Sequence, residues 1–366
     1  MSAASTPAVG TAKIRPLAPD DLPQVAEILA RRDNHSWSLE STRWFLQGLD
    51  EDKCRAWGAV DGDKLVALTS FFLRSLQWQD QQHRVAYWAN LYIDPEYRSQ
   101  MLYPRLPMTM LRGLKDAGAE FLYAAVRLQD VARAHSGMGF GEIGDQHVWV
   151  RFLRPGRFAA KYKQLPAATG LLTAPLDAAY GLGVALRGRL AKSHPIEDVA
   201  IDEAPLAEIA DLANRAAAGQ FAQIWTAEML AERYAQTREG GVYRALVCRD
   251  AADSSLQAAL VYRQAERGAD IQVAVVMDLV HASGNASAAV ATVHRLESLA
   301  QKSNIEAILY FDGLGSAMRD LMQSCGFRKS PEKYTFMVYP KKARTEHAWL
   351  TDLANWNYSF RDHDAF

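Results

Sequence analysis

The chain has 366 residues, more than one hydrophobic core usually supports, so we expect two domains. A hydrophobic fraction of 49% and a net charge of −1 are typical of a globular protein and exclude a general attraction to DNA or to anionic membranes. No apolar stretch reaches the roughly 18 residues of a transmembrane helix, and the three scattered cysteines do not form a metal or disulfide pattern, so we expect a cytoplasmic protein without a metal.

The first half of the chain alternates strands and helices. Residues 1–12 are rich in Ser, Ala and Thr and are expected to be a disordered leader. Apolar residues at helical spacing follow the Asp20-Asp-Leu22 start, and the turn Asp61-Gly-Asp63 separates two strands. The pattern predicts helices near 20–29, 38–48, 104–117 and 130–136, and strands at 13–17, 56–60, 64–73, 84–93, 120–127 and 146–153.

The second half repeats this order of elements. Both halves end a short helix with a Gly-Phe pair, at Gly139-Phe140 and Gly326-Phe327, and then enter a closing strand. The repeat predicts an internal duplication. It also predicts strands at 198–202, 242–248, 256–263, 271–281, 307–311 and 334–339, and helices at 206–217, 226–236, 286–302 and 314–324.

We therefore expect an α/β (α+β) protein with two domains, at 13–153 and 195–342, each a mixed central sheet flanked by helices. Residues 154–194 form a basic helical connector, which is either a membrane-surface helix or, as we favour, a connector that packs its apolar side between the domains. Residues 343–366 form an aromatic-rich tail. Because exposed aromatic side chains are costly, the tail is expected to dock on one domain.

The most informative segment runs from Leu91 to Tyr103. It predicts a strand that ends in a Pro-Glu-Tyr-Arg turn and leads into a helix, the layout in which backbone N–H groups hold a pyrophosphate. Such loops usually carry glycines that let the backbone approach the ligand. Here Met101 and Tyr103 occupy those positions.

Three motifs resemble the GCN5-related N-acetyltransferase (GNAT) superfamily: Ile14-Arg-Pro-Leu17 with Asp20-Asp-Leu22, Tyr92-Ile-Asp-Pro-Glu-Tyr-Arg98, and His135-Ser-Gly-Met-Gly-Phe140. The second half resembles the family less clearly, so its domain is expected to be degenerate. The tail at 355–364 is similar to the ends of tandem GNAT-like proteins from bacterial surface-polysaccharide clusters.

The resemblance implies an acyl-CoA, with acetyl-CoA as the expected cosubstrate, bound where two parallel strands separate. It assigns the thioester-polarising amide to Leu91, Tyr92 and Ile93. It assigns the pyrophosphate to Arg98, Ser99, Gln100, Met101, Leu102 and Tyr103. His135 stands where the family often places a tyrosine acid, and histidine transfers protons near neutrality. The counterpart in the second half is Met322, which transfers none.

The acceptor base is less well defined. Asn90 lies on the strand where the family often has a carboxylate, and an amide orients water but is not a base. Asn90 could instead be a hydrogen-bonded strand residue with a structural role only. His135 could instead be a helix-end residue that takes no part in the chemistry. Asp278 on the equivalent second-half strand is either a base or a partly exposed strand acid.

The sequence thus predicts an acyl-CoA-dependent N-acyltransferase that moves an acetyl group to a small-molecule amine of a sugar or other precursor. It predicts no DNA partner and no transmembrane segment, and it leaves open a homo-oligomer. Two alternatives remain. One is a Fem-type aminoacyl or peptidyl transferase, which needs no CoA loop, and the other is a non-catalytic GNAT-fold binding or scaffold protein.

Overall fold

A computed structural model of the chain describes residues 11–166, 169–190, 194–236, 241–268, 270–340 and 342–362. Most of the expected leader, residues 1–10, and the last four residues of the tail lie outside these ranges. The chain forms two compact units. Unit 1 contains residues 1–76, 82–144 and 335–351, and unit 2 contains residues 77–81, 145–334 and 352–366.

Unit 1 is a mixed sheet with helices packed against it. Its first helix buries Val25, Ile28 and Leu29 at the predicted helical spacing, and Ser38 begins the second by accepting the Ser41 N–H at 2.9 Å. Its elements are β1 (Lys13–Pro16), α1 (Leu22–Asp33), α2 (Leu39–Phe45), β2 (Cys54–Asp61), β3 (Lys64–Trp78), β4 (Gln81–Ile93), α3 (Leu102–Asp116), β5 (Leu122–Val126) and α4 (Gln129–Gly137).

Unit 2 follows the same plan. Its core gathers apolar residues from its strands and from α9, including Val276, Ile308 and Leu296. Along the chain come β6 (Gly141–Phe152), α5 (Pro155–Tyr162), α6 (Thr169–Leu190), β7 (Ile196–Ala200), α7 (Leu206–Ala216), β8 (Ala222–Gln223), α8 (Ala227–Tyr234), β9 (Tyr243–Arg249), β10 (Leu256–Arg267), β11 (Ile271–His281), α9 (Ala286–Lys302), β12 (Ala307–Phe311), α10 (Ser316–Ser324), β13 (Arg328–Tyr339) and α11 (Ala343–Glu346).

Each unit orders its strands alike. In unit 1 the order is β1-β2-β3-β4-β5, and in unit 2 it is β7-β9-β10-β11-β12. β4 and β5 pair in parallel, as do β11 and β12, while the other registered pairs are antiparallel. The prediction of mixed sheets flanked by helices is confirmed.

The closing strands differ from the prediction. Residues 148–152 of β6, expected to close the first sheet, pair antiparallel with β12 of unit 2. Residues 335–339 of β13, expected to close the second sheet, pair antiparallel with β5 of unit 1. The side chains of these strands are exchanged in the same way. Trp149 of β6 is buried in the unit 2 core, and Met337 of β13 is buried in the unit 1 core. The proposed domain boundaries at 153 and 195 stay a prediction.

The connector is helical, as predicted, but its apolar side is not packed away. Helices α5 and α6 pack on each other, and Asp177 of α6 accepts the N–H groups of Gly156 and Arg157 at the start of α5. The expectation that the apolar side chains of α6 are covered is wrong for five of them, which are exposed: Leu172, Leu176, Tyr180, Leu182 and Leu186.

The aromatic tail is docked, but the prediction that it docks on one domain is wrong, because residues 343–351 belong to unit 1 and the tail from residue 352 onward belongs to unit 2. Trp356, Tyr358 and Phe360 are buried in unit 2. The Tyr358 N–H donates to the Gly313 carbonyl at 2.8 Å, and the Arg361 N–H donates to the Met277 carbonyl at 3.0 Å. These bonds place the tail beside β11 and the end of β12.

Gly313 allows this close approach. A Cβ atom at Gly313 would lie 1.9 Å from the Tyr358 carbonyl oxygen, so Gly313→Ala forces the tail away from the sheet. We expect a loss of about 1–3 kcal/mol in the free energy of unfolding of unit 2 and faster proteolysis after residue 351. Urea unfolding and limited proteolysis measure both.

Gly268→Ala is the matched control, because a Cβ at Gly268 meets no atom within 4 Å. Equal stability and equal proteolysis of the two variants would contradict a close tail contact.

Candidate functional site

The candidate site of unit 1 begins where its two parallel strands separate. Within β4 and β5, which the structure describes completely, the parallel register covers Ala86 with Leu122 and Tyr87 with Tyr123. Beyond these pairs β4 continues to Ile93. Asn90 lies in this continuation with a φ of 58°, a left-handed conformation that asparagine tolerates better than most residues. The strand is therefore bent just before the predicted thioester-binding segment.

The side chain of Asn90 is held at both ends. Its Nδ2 donates to Ser70 Oγ at 2.9 Å, and its Oδ1 accepts from Arg32 Nη1 at 2.5 Å. Arg32 is in turn fixed by Asp33 at 2.8 Å. These contacts agree with the hydrogen-bonded strand residue that was the alternative reading of Asn90. Arg32 and Ser70 were missed by the sequence reasoning, because no local pattern marks partners 58 and 20 residues away.

The loop after β4 keeps the backbone shape that glycine would favour. Residues Pro95–Gln100 form a 3-10 turn, and Met101 then adopts a φ of 55° immediately before α3. The side chain of Met101 is 64% exposed, so it points away from the core. The turn is anchored by Tyr97, whose hydroxyl donates to Asp61 at 2.8 Å, and by Gln100, which accepts the Ala12 N–H at 3.1 Å.

The other predicted cradle residues surround this turn. Leu91 and Ile93 pack against the unit 1 core, and Leu102 is fully buried. Arg98 and Ser99 are exposed on the turn. Tyr92 is half-buried, and its pKa is raised by burial and by the neighbouring Asp94. The structure therefore brings the predicted segment together around one strand end and one helix start.

Tyr103 links this loop to His135 on α4. The Tyr103 hydroxyl lies 3.2 Å from His135 Nδ1. The imidazole stacks on Trp88, with ring centroids 4.1 Å apart, and contacts Phe140 at 5.0 Å. The sequence singled out Tyr103 and His135 separately, and the structure joins them. Trp88 and Phe140 complete an aromatic enclosure.

This enclosure sets the protonation states. Burial lowers the pKa of His135 to about 4, against a hydrogen bond donated by the imidazole to the Val131 backbone carbonyl, which raises it. Burial raises the pKa of Tyr103 to about 12. At neutral pH the imidazole is uncharged and the phenol is protonated. The pair therefore joins a neutral imidazole to a protonated hydroxyl, and which of the two donates in their hydrogen bond depends on the imidazole tautomer.

The equivalent place in unit 2 is filled by the chain itself. β11 and β12 pair over four residues, from Val273 with Ala307 to Val276 with Tyr310. The next residue, Met277, sits at a bulge opposite β10 and accepts the tail N–H of Arg361.

Asp278, the predicted second-half base, is ion-paired with the Arg361 guanidinium. Burial raises its pKa, and the guanidinium opposes that rise. Met322, the counterpart of His135, is fully buried in the unit 2 core.

Among the described residues, no helix is long and apolar enough to cross a membrane. The same ranges contain no group of three or more His, Cys, Asp or Glu side chains arranged to hold a metal ion.

Comparisons with known proteins agree with this geometry. Residues 13–129, or 117 of the 366, match the family described as acetyltransferase (GNAT) domain. No curated protein sequence matches the chain.

Solved structures share the fold at low identity. A GCN5-related N-acetyltransferase from Anabaena variabilis has 14% identity and a TM-score of 0.57, covering 89% of this chain and 72% of that one. N-myristoyltransferase from Saccharomyces cerevisiae with bound myristoyl-CoA has 12% identity and a TM-score of 0.63, over 92% and 80%. A probable N-acyltransferase from Enterococcus faecalis has 11% identity and a TM-score of 0.61, over 91% and 74%. The chain therefore has a GNAT-like fold.

The burial of His135 predicts a pH dependence of stability. The unfolded chain binds a proton at His135 near pH 6.5, whereas the folded chain binds it only near pH 4, so stability falls as pH falls through this window. Between pH 7 and pH 5 we expect the wild type to lose roughly 2 kcal/mol more than His135→Gln. Urea unfolding at both pH values measures the difference.

The comparison uses the same change of pH for both proteins, so the other histidines cancel. Parallel pH profiles of the wild type and the variant would show that His135 titrates normally and is not enclosed.

Proposed function

We propose, for a chain that contains a GNAT acetyltransferase domain at residues 13–129, that unit 1 is an acyl-CoA-dependent N-acyltransferase. The donor is acetyl-CoA, and the acceptor is an amine of a sugar or another small precursor, as in surface-polysaccharide synthesis. The reaction is direct aminolysis. The amine nitrogen forms a bond to the thioester carbon, the carbon–sulfur bond breaks, and the thiolate takes up a proton.

The observation that carries this proposal is the separation of β4 from β5. The parallel register ends at Tyr87, and Asn90 bends the strand beyond it. Successive N–H groups alternate between the two edges of a strand, and the Asp94 N–H donates to Val66 of β3. We therefore assign the thioester carbonyl to an N–H group of the Leu91–Ile93 segment that faces away from β3. An N–H donor in a water-poor site stabilises the negative charge that develops on that oxygen. Asn90 supports the bend, and its amide has capacity to orient one water.

The loop supports pyrophosphate binding despite its missing glycines. Met101 keeps the left-handed backbone that glycine would supply and turns its side chain outward. We assign the pyrophosphate to backbone amides from Ser99 to Tyr103, a segment that precedes the regular part of α3, since Met101 (φ 55°) and Tyr103 (φ −96°, ψ 116°) are not helical. Arg98, exposed on the same turn, adds a mobile positive charge. Both altered residues therefore change the lining of the cradle, and the left-handed backbone is kept at Met101.

For proton transfer we assign the donor to the Tyr103–His135 pair. A CoA-type thiol has a pKa near 8.5, so it is mostly protonated at neutral pH. The departing thiolate therefore takes up a proton as the carbon–sulfur bond breaks, and a nearby acid assists this step. The Tyr103 hydroxyl is protonated and 3.2 Å from His135, which holds it. In the tautomer with a proton on Nδ1, His135 donates to the Tyr103 oxygen, so the single phenolic proton can pass to the sulfur. Tyr103 then regains a proton from solvent, and the attacking nitrogen releases one to solvent. His135 positions the hydroxyl.

Unit 2 is proposed to be a degenerate copy without a thioester site. Its strand separation holds the tail through Tyr358 and Arg361. The buried ion pair of Arg361 with Asp278 fixes that arrangement. Acyl transfer is therefore assigned to unit 1 alone.

Tyr103→Phe tests the donor. Loss of the hydroxyl is expected to lower kcat at least about 100-fold with an unchanged Kd for acetyl-CoA, because the ring still lines the site. The assay follows release of free CoA thiol with a panel of amino sugars and small amines. His135→Gln, which cannot hold the hydroxyl in the same way, is expected to lower kcat by a smaller factor.

Tyr180→Phe is the control, since Tyr180 is an exposed tyrosine of unit 2 and its loss should leave kcat unchanged. Equal activity of Tyr103→Phe and wild type would remove Tyr103 from the mechanism.

Binding is tested separately by calorimetry. Acetyl-CoA and longer acyl-CoA thioesters, up to myristoyl-CoA, are titrated into the full chain. Heat of binding that saturates supports the proposal, and the tightest acyl chain identifies the donor. No binding at millimolar ligand would leave unit 1 as a non-catalytic member of the fold.

A further inference from the structure

Helices α5 and α6 form a helical hairpin that presents an apolar face to solvent. The inner face of α6 is fixed. Thr173 packs against Gly156, Asp177 caps α5, and Val184 is 1% exposed. Thr173, Asp177 and Val184 are four and seven residues apart, so they lie on one side of the helix.

The opposite side of α6 is apolar and uncovered. Leu172 is 83% exposed, Leu182 is 64% exposed, and Leu176 and Leu186 are about half exposed. Four leucines on one helix face form a contiguous apolar stripe, whereas monomeric proteins usually expose such side chains singly. At the end of α5, Tyr162 adds an aromatic side chain that is 69% exposed. Contact of this apolar face with water is unfavourable, so we expect an apolar partner to cover it.

The charge of residues 154–194 indicates what kind of partner covers the face. Residues 154–194 contain seven arginines and lysines and a single acidic residue, Asp177, whereas the whole chain has a net charge of −1. Two acids outside the segment neutralise part of this charge: Glu306 pairs with Lys161 at 3.0 Å, and Glu297 pairs with Arg187 at 3.3 Å. The segment still carries an excess of positive charge.

A cavity of about 1150 Å³ borders the hairpin. Its lining includes Arg154, Arg157 and Lys161 together with Asp177 and Asp270. Glu306 already contacts Arg157 and Lys161, so the cavity adds little to the positive charge of the hairpin, which includes the exposed Lys163 outside it.

We infer that the α5–α6 hairpin is a docking surface for an anionic lipid bilayer. The helix lies in the plane of the interface, with the leucine face in the acyl region and the basic residues at the headgroups. This surface holds the protein on the membrane without crossing it. The inference is independent of acyl transfer, because every residue that carries it lies outside unit 1.

Vesicle flotation of the full chain tests the inference. We expect binding to phosphatidylcholine vesicles that contain phosphatidylglycerol, weaker binding to phosphatidylcholine alone, and release by high salt. The double variant L172S/L182S removes two exposed leucines and is expected to bind about tenfold more weakly or not at all. Lys163→Gln removes one exposed cation and is expected to weaken binding by about fivefold.

Val242→Ser and Lys115→Gln are the matched controls, since both side chains are exposed and lie outside the hairpin. Both controls should bind vesicles like the wild type. An unchanged thermal transition, measured for each variant and each control, shows that the protein is folded. Absence of vesicle binding, or equal binding by L172S/L182S, would overturn the inference. A wild-type dimer that L172S/L182S converts to monomers, without vesicle binding, would assign the face to a second copy of the chain.

Discussion

In each unit a parallel strand pair, β4 with β5 and β11 with β12, separates part-way along its length. Separation leaves backbone N–H and C=O groups on both strands without sheet partners, and buried groups of this kind need hydrogen bonds. Unit 2 meets the requirement with its own tail, through Tyr358 and Arg361. In unit 1 the same geometry creates the candidate site. One constraint of sheet geometry thus explains both a closed region and a candidate binding region.

Two residues of the candidate site have left-handed backbone conformations that their residue types do not favour, and neighbouring side chains stabilise them. A left-handed residue other than glycine costs about 1–2 kcal/mol. Asn90 and Met101 both adopt this conformation, with φ of 58° and 55°. Arg32 and Ser70 hold the first, while contacts of Tyr97 and Gln100 hold the turn before the second. The loop therefore keeps a left-handed conformation at Met101 without a glycine.

Local patterns predicted much of the fold. β11, α9 and β12 begin and end at the residues that alternation, helical spacing and turn residues indicate. The closing strands were exchanged because two apolar strands after equivalent Gly-Phe turns carry no local information about which sheet each joins. The Tyr103–His135 contact and the lowered pKa of His135 depend on Trp88 and Phe140, which approach only in the folded chain.

The exchange of closing strands also governs the order in which the protein can be completed during synthesis. Unit 1 begins at the start of the described chain, but its last strand pairs through residues 335–339. Until these residues leave the ribosome, β5 has an exposed edge, and exposed edges pair readily with other chains. Domains usually fold in turn as they emerge. Here the β5 edge of the earlier half stays unpaired until residues 335–339 have been synthesised.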